Sequence, residues 1–368
     1  MALKLTIPDL SDLARGAAFL ATGGGGNPYV GRLMVENAMR ETGRELTLMD
    51  VEDLADDDFV IPTAMMGAPT VIVEKLPEGL EAVHSLRALE RRLGRKATAT
   101  MPIEAGGVNS MIPLVVAVRE NLPVVDGDGM GRAFPELFHE TFHIYGVSGT
   151  PMAITDEHHD HAIVEAHDNF EAEWFARGLT IRMGGTSFIA LYAMDGATTK
   201  RTAIRGTIRL GLLIGRTIRE ARAAHIDPFN ALVAMFATTS YTHARTIFTG
   251  KITEVFRRVE GGFSKGTVKL IELTESAYQT PRLMEIEIQN ENLIAVADGQ
   301  VLAMVPDLIC ILDSESAEPI TTEEQRYGQR VTVMAVSVPE IMRTPEALAV
   351  WGPRHFGYNI DYVRIEEL

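Results

Sequence analysis

One cysteine, Cys310, stands in a chain of 368 residues. No disulfide can form within the chain, and the sequence fits a reducing cytoplasm. Cys310 sits in the apolar stretch Leu308-Ile309-Cys310-Ile311-Leu312 and reads as a buried strand residue. Long apolar runs are missing too. The longest, such as residues 111–118, fall far short of the ~20 residues that a membrane-spanning helix needs. Residues 1–10 lack a basic region followed by a hydrophobic core, so no signal peptide is expected. Basic residues are scarce: 34 Lys and Arg face 50 Asp and Glu, a net charge of −16. That balance argues against DNA, RNA or an anionic membrane as the main partner. No G-x-G-x-x-G follows a strand, and Gly250-Lys251 lacks the rest of a Walker A motif, so neither nucleotide fingerprint is present. Internal repeats and low-complexity linkers are absent as well.

What is there is ordinary globular material, 46% hydrophobic and 23% charged, long enough for two domains. Residues 1–175 alternate helical and strand signals. Helices are expected at 9–21, 28–41, 78–93 and 110–120, and strands at 46–50, 59–65, 97–102 and 123–126. Such alternation predicts an α/β domain, a mostly parallel sheet with flanking helices. Residues 176–368 read as a mixed domain. It opens strand-like at 179–194, continues with helices at 206–224 and 227–237, and is β-rich over 245–338. Gly261-Gly262, Asn290-Glu291-Asn292 and Asp298-Gly299 supply turns there.

Three loops carry chemistry-bearing residues. Gly23-Gly24-Gly25-Gly26-Asn27-Pro28 loses much backbone entropy on folding, and successive N–H groups at a helix start suit an anion or a carbonyl oxygen. Asp126-Gly127-Asp128-Gly129-Met130-Gly131-Arg132 sits where a buried strand ends, the edge at which open α/β sheets bind ligands. Asp126 or Asp128 could act as general base or metal ligand, and Arg132 could grip a carboxylate in two-pronged fashion. Turn chemistry alone would also explain the Asp-Gly pairs. Glu104-Ala105-Gly106-Gly107-Val108-Asn109 is a third junction, with Glu104 and Asn109 candidates for the cleft and Gly106 for close approach. Asn109 could equally cap the next helix. Asn290 and Glu291 are further cleft candidates, or hairpin residues.

His139-Glu140-Thr141-Phe142-His143 matches H-E-x-x-H on an expected helix. Spacing of i, i+4 would let His139 and His143 hold a divalent metal such as zinc while Glu140 activates water. The extended form of that motif fails, because Gly149 stands where a third histidine should be. His158, His159, His161 and Glu165 could serve as other ligands, and a polar helix face is the plainer reading.

Taken in order, the glycine tract, the 104–109 loop, the run Asp126–Leu137, Gly250-Lys251 with Gly261-Gly262-Phe263, Asn290-Glu291-Asn292 and residues 352–358 resemble the S-methyl-thiohydantoin desulfurase-like family, associated with hydantoinase and oxoprolinase proteins. The resemblance spans nearly the whole chain. It implies an N-terminal α/β domain, a β-containing C-terminal domain, and hydrolytic attack on a carbon of a five-membered cyclic amide that expels a thiol or a ring nitrogen. Asp126, Asp128 and Glu104 are the expected catalytic acids. Gly23 to Gly26, Asn27, Gly106, Asn109, Gly129, Arg132 and Asn290 are expected to bind the small-molecule substrate. A homo-oligomer is expected. The alternatives are a non-catalytic partner of a hydantoinase-type enzyme and a zinc peptidase through His139, Glu140 and His143.

Overall fold

The first helix, Asp9–Leu20, follows from apolar residues at helical spacing, Leu10, Leu13, Ala17 and Leu20, all of them buried. Its opening turn is tied by the Asp9 carboxylate, which accepts from the backbone N–H and the hydroxyl of Thr6. The second helix, Tyr29–Thr42, starts where the Asn27 side chain accepts from Tyr29 N–H at 3.0 Å and stops at Gly43 in the left-handed conformation. This computed structural model describes residues 2–67, 71, 75, 77–260, 263–274 and 279–368; the turn expected at Gly261-Gly262 lies outside them.

Strands β1 (Leu3–Leu5), β2 (Leu46–Asp50), β3 (Phe59–Gly67), β4 (Ala99–Met101), β5 (Val124–Asp128), β6 (Met152–Thr155), β7 (His161–Val164), β8 (Thr186–Ala190), β9 (Met194–Asp195) and β10 (Ile204–Arg205) form one sheet. Its order is β1-β2-β5-β4-β3-β8-β6-β7, with β9 on β3 and β10 on β5. Only the centre, β2-β5-β4-β3, is parallel. The sheet is therefore mixed rather than mostly parallel. The β6–β7 hairpin turns on Asp156, whose carboxylate accepts from His158 and Asp160 N–H, and β8 returns antiparallel to β3 after the helix Asn169–Arg182. That helix occupies the start of the segment expected to be strand-like. The central strands are buried on both faces, as the unbroken burial of β5 shows. β8, β9 and β10 lie beyond residue 175 and belong to this sheet.

The second sheet is antiparallel throughout. It takes β11 (Ala244–Glu260), β12 (Phe263–Glu272), β13 (Leu283–Gln289), β14 (Glu291–Ala297), β15 (Gln300–Met304), β16 (Leu308–Asp313) and β17 (Arg330–Val336) in the order β15-β14-β13-β12-β11-β17-β16. Alternation fits it: Met284, Ile286 and Ile288 of β13 point inward. Val305-Pro306 divides the expected strand 301–313 into β15 and β16.

Two contacts fix the halves against each other. The helices Asp9–Leu20 and Thr207–Ala223 meet backbone to backbone: a Cβ on Gly16 would lie 1.7 Å from the Gly211 carbonyl oxygen, and one on Gly215 1.8 Å from that of Asp12. A shared core then runs from Phe19 and Leu20 through Met130, Phe134 and Ile214 to Leu308, Cys310 and Trp351. Cys310 is a buried strand residue, its thiol 3.3 Å from the Phe19 carbonyl. Among the described residues no helix is long and apolar enough to cross a membrane.

Candidate active site

The glycine tract leaves the first helix and turns at once. Gly23, Gly25 and Gly26 all have positive φ, which a side chain would strain. The second sheet and its loops sew the tract down: Asn292 N–H donates to the Thr22 carbonyl at 2.8 Å and Thr322 N–H to that of Gly23 at 2.7 Å. The other side of the tract rests on the 104–109 loop, where Val108 N–H donates to the Gly25 carbonyl at 2.9 Å. A Cβ on Gly24 would lie 2.0 Å from a Glu291 carboxylate oxygen, and one on Gly107 2.1 Å from the Gly25 carbonyl. Close approach on two sides is thus the reason for consecutive glycines.

The 126–132 loop passes under the same junction. Asp128 accepts through one oxygen from Ala105, Met130 and Gly131 N–H at 2.7, 3.1 and 2.8 Å. It is buried, and burial pushes its carboxyl up to about 7. Asp126 serves the helix Thr207–Ala223 instead. It accepts from Ile208 and Arg209 N–H at 3.1 Å each, as a carboxylate at a helix start should. Gly129 is small because the Glu140 carboxylate lies where its Cβ would be.

Arg132 is wholly buried, and its guanidinium is spent inside the protein. It donates to Thr22 Oγ1 at 2.6 Å and to the carbonyls of Asp307, Asn292, Ala133 and Pro306 at 2.8, 3.0, 3.2 and 3.4 Å. A side chain with its donors so occupied is a structural clasp between the loops, not a grip for a substrate carboxylate. Arg132→Met should therefore destabilise the fold by at least about 3 kcal/mol, the order found when one partner of a buried charged network is removed. Urea unfolding checks this; a folded variant of unchanged stability with only a raised KM would contradict it.

Between these loops lies a cavity of about 230 Å³, lined by Gly24, Gly25, Glu104, Asn109, Glu136, Arg177, Asn290 and Glu291, with Met65, Ile103, Val108, Met130, Phe134 and Leu137 as apolar wall. Glu104 is only 4% exposed. Burial pushes its carboxyl up to about 8; the Asn109 hydrogen bond opposes that shift and the neighbouring Asp128 charge adds to it. Asn109 caps no helix. It donates to Glu104 Oε2 at 2.8 Å and to the Met65 carbonyl at 3.1 Å, and accepts from Met65 N–H at 2.7 Å, so Glu104 is held on a rigid strand edge. Gly24 N–H is used by the Ala21 carbonyl. Among the described residues no acceptor takes Gly25 N–H. Glu291 is raised by burial against the pull of Arg132. Glu140, beneath Gly129, has both carboxylate oxygens buried without a hydrogen-bond partner among the described residues, and burial, with the Asp128 and Glu104 charges adding to it, pushes its carboxyl well above the usual carboxylate range.

Of the expected residues, Gly24, Gly25, Glu104, Asn109 and Asn290 line the cavity. Gly23, Gly26, Gly106, Asp128 and Gly129 lie outside the lining. Asn27 lies apart from it, donating to Glu324 at 3.1 Å. Glu291, the other cleft candidate of the Asn-Glu-Asn turn, lines the cavity as well, whereas Glu136 and Arg177 were missed as cavity residues. The Arg177 guanidinium pairs with Glu173 and stands 5.0 Å from the Phe263 ring centre; nothing local in the sequence singles it out.

The H-E-x-x-H reading fails on backbone geometry. Glu140 is extended, with φ −128° and ψ 139°, and the helix covers only Thr141–Ile144. His139 and His143 then share no helix face. His143 Nδ1 meets the Asn169 side-chain amide at 3.0 Å, while His139 Nε2 meets His355 Nε2 at 3.0 Å. The zinc-peptidase alternative loses its metal site with that helix. Among the described residues His158, His159 and His161 gather no ligand set either: His159 stacks on His84 at 4.2 Å, and His161 is in β7.

Comparison with known proteins places these features. The S-Me-THD-like N-terminal domain model matches residues 8–166 and the S-Me-THD-like C-terminal domain model residues 167–365. A crystal structure of a protein from Chromobacterium violaceum is 21% identical, with a TM-score of 0.80 over 99% of this chain and 100% of that one; at this identity the likeness shows the fold. No curated protein matches the chain. With both domain models laid end to end over nearly its whole length, the chain belongs to the S-Me-THD-like family.

Proposed function

We propose that the chain is a hydrolase of a small five-membered cyclic amide, a hydantoin or an S-methyl-thiohydantoin, and that the reaction takes place in the cavity between Gly25 and Glu104. One observation carries this reading: Gly25, whose N–H has no acceptor among the described residues, and Glu104, a buried carboxyl of raised pKa, line the same small hollow. Membership of a thiohydantoin-named family supports the substrate class. The volume, below the roughly 300–1,000 Å³ of sites for drug-sized ligands, suits a single ring.

Ionised Glu104 takes a proton from water as the water oxygen bonds to the ring carbon between the two nitrogens. Electrons of the carbon–nitrogen double bond move to the ring nitrogen, which takes the proton from Glu104. Glu104 then accepts the hydroxyl proton as the intermediate collapses to a carbonyl and the carbon–sulfur bond breaks, and the departing sulfur leaves as the thiol with that second proton. On an unsubstituted hydantoin the same attack places negative charge on oxygen and breaks a carbon–nitrogen bond. Gly25 N–H is the donor for that charge, a role worth roughly 3 kcal/mol in characterised sites. Asn109 orients Glu104. Asp128 positions the 105 and 130–131 backbone and raises Glu104, so water activation falls to Glu104 rather than to Asp126 or Asp128. Arg177, in place of Arg132, is the cation on the cavity wall for an anionic ring substituent.

Purified chain incubated with S-methyl-thiohydantoins and hydantoins tests this directly. Thiol release or ring opening, with one oxygen from isotopically labelled water in the product, is the expected result. No turnover of any ring, and turnover only after a hydantoinase-type partner is added, would favour the non-catalytic partner instead.

A further inference from the structure

We propose that Glu136, His139 and His355 form a binding site for a divalent transition-metal ion of the zinc class, at the wall of the cavity. The three residues come from two segments more than 200 positions apart, the 134–140 loop and the turn at 352–358, and the fold brings their ligand atoms within 4.8 Å of one another. His139 Nε2 lies 3.0 Å from His355 Nε2 and 3.7 Å from Glu136 Oε2. Ligand atoms bound at about 2.0–2.2 Å in a tetrahedral zinc site stand about 3.3 Å apart, so an ion needs only small movements of the three side chains.

The arrangement is held from behind. His139 is fully buried, and the rings of Phe134, Phe138 and Phe356 pack round it at 5.7, 4.8 and 5.6 Å between centres. The Gly352 and Pro353 carbonyls accept from His355 and Tyr358 N–H and fix the turn that carries His355. His355 is exposed, which gives an ion a route from solvent to a pair of imidazoles whose nitrogens already face each other. Two imidazoles and one carboxylate are a borderline-soft donor set that suits zinc, cobalt or nickel better than magnesium or calcium. Three protein ligands leave a fourth position for water or a small molecule, the pattern of reactive rather than purely structural zinc sites. Glu136 belongs both to this set and to the cavity lining, so an ion there is joined to the cavity by one side chain. The site stands whether or not the ring hydrolysis proposed above is the reaction.

Tag-free full-length protein, stripped with a chelator and titrated with zinc by calorimetry, tests it. One tight equivalent is expected. Affinity should fall at least a hundredfold in His355→Ala and in Glu136→Gln, both at positions open enough for the variants to keep the wild-type far-ultraviolet circular dichroism. Cobalt(II) should give the strong visible absorption of a low-coordinate site in the wild type and lose it in both variants. Absence of stoichiometric binding, or wild-type affinity retained in either variant, overturns the proposal. Exposed His158 and His167 are left intact in every variant, so surface binding cannot imitate the expected loss.

Discussion

Glu104→Gln should lower kcat on S-methyl-thiohydantoin about a thousandfold while the protein stays folded. Glutamine keeps the shape and still accepts the 2.8 Å hydrogen bond from Asn109, but it cannot take a proton from water. Loss of a positioned general base costs typically 10²–10⁴ in rate. The pH dependence identifies the group. With Glu104 raised to about 8, its ionised form is the minority at neutral pH. In the wild type kcat/KM should therefore climb about tenfold per pH unit below that value and level off above it. Asp128→Asn removes the charge that helps to raise Glu104, so the rising limb should move to lower pH. Steady-state kinetics from pH 5 to 9 check both statements. A rate that falls through pH 8, or a limb unmoved in Asp128→Asn, would contradict the assigned roles.

The second large effect is on stability. Glu104 and Asp128 are both buried and both raised, from 4.5 to about 8 and from 3.8 to about 7. The native state therefore holds protons that the unfolded chain releases. The associated stability is fully present below about pH 4 and is lost as pH rises through the native values near 7 and 8. Each pKa unit is about 1.4 kcal/mol, so the Asp128 contribution alone is on the order of 4 kcal/mol. The two groups feel each other's charge and will not add. In Asp128→Asn the asparagine mimics the protonated acid: its carbonyl oxygen can take the three N–H groups now received by Asp128. Relative to that variant, the wild type should lose several kcal/mol of unfolding free energy between pH 4 and 8. Urea titrations of both proteins measure that difference. A difference that is flat, or that grows in favour of the wild type with pH, would show that Asp128 is ionised in the native protein.

The parts of the site that are legible in sequence are those where local composition already demands a special backbone. Successive glycines require close neighbours, and Gly24 and Gly25 have them in Glu291 and Gly106-Gly107. Glu104 and Asp128 stand out as acids at strand ends, and both are buried there. Misreadings arise where a distant segment takes up the group. Arg132 looks free until the carbonyls of Asn292, Pro306 and Asp307 are brought to it. Asp126 looks catalytic until the helix start at 207 settles on it. The i, i+4 spacing of His139 and His143 has meaning only on a helix, and the Glu140 backbone is extended. Asn290 and Glu291 are legible as a polar turn, and both line the cavity, but Arg177 and His355 come from two elements far apart in the chain, so no local pattern could gather them. The parallel centre of the first sheet follows from strand–helix alternation, whereas its antiparallel flank depends on a hairpin and a returning strand that hydrophobic period alone does not order.

The most direct test is a crystal structure of Glu104→Gln soaked with S-methyl-thiohydantoin at saturating concentration. The account predicts ring density in the cavity, with a ring atom within hydrogen-bond distance of Gly25 N–H and the carbon that bears sulfur facing residue 104. A ring bound elsewhere, or an empty cavity with the ligand demonstrably saturating in solution, would contradict it.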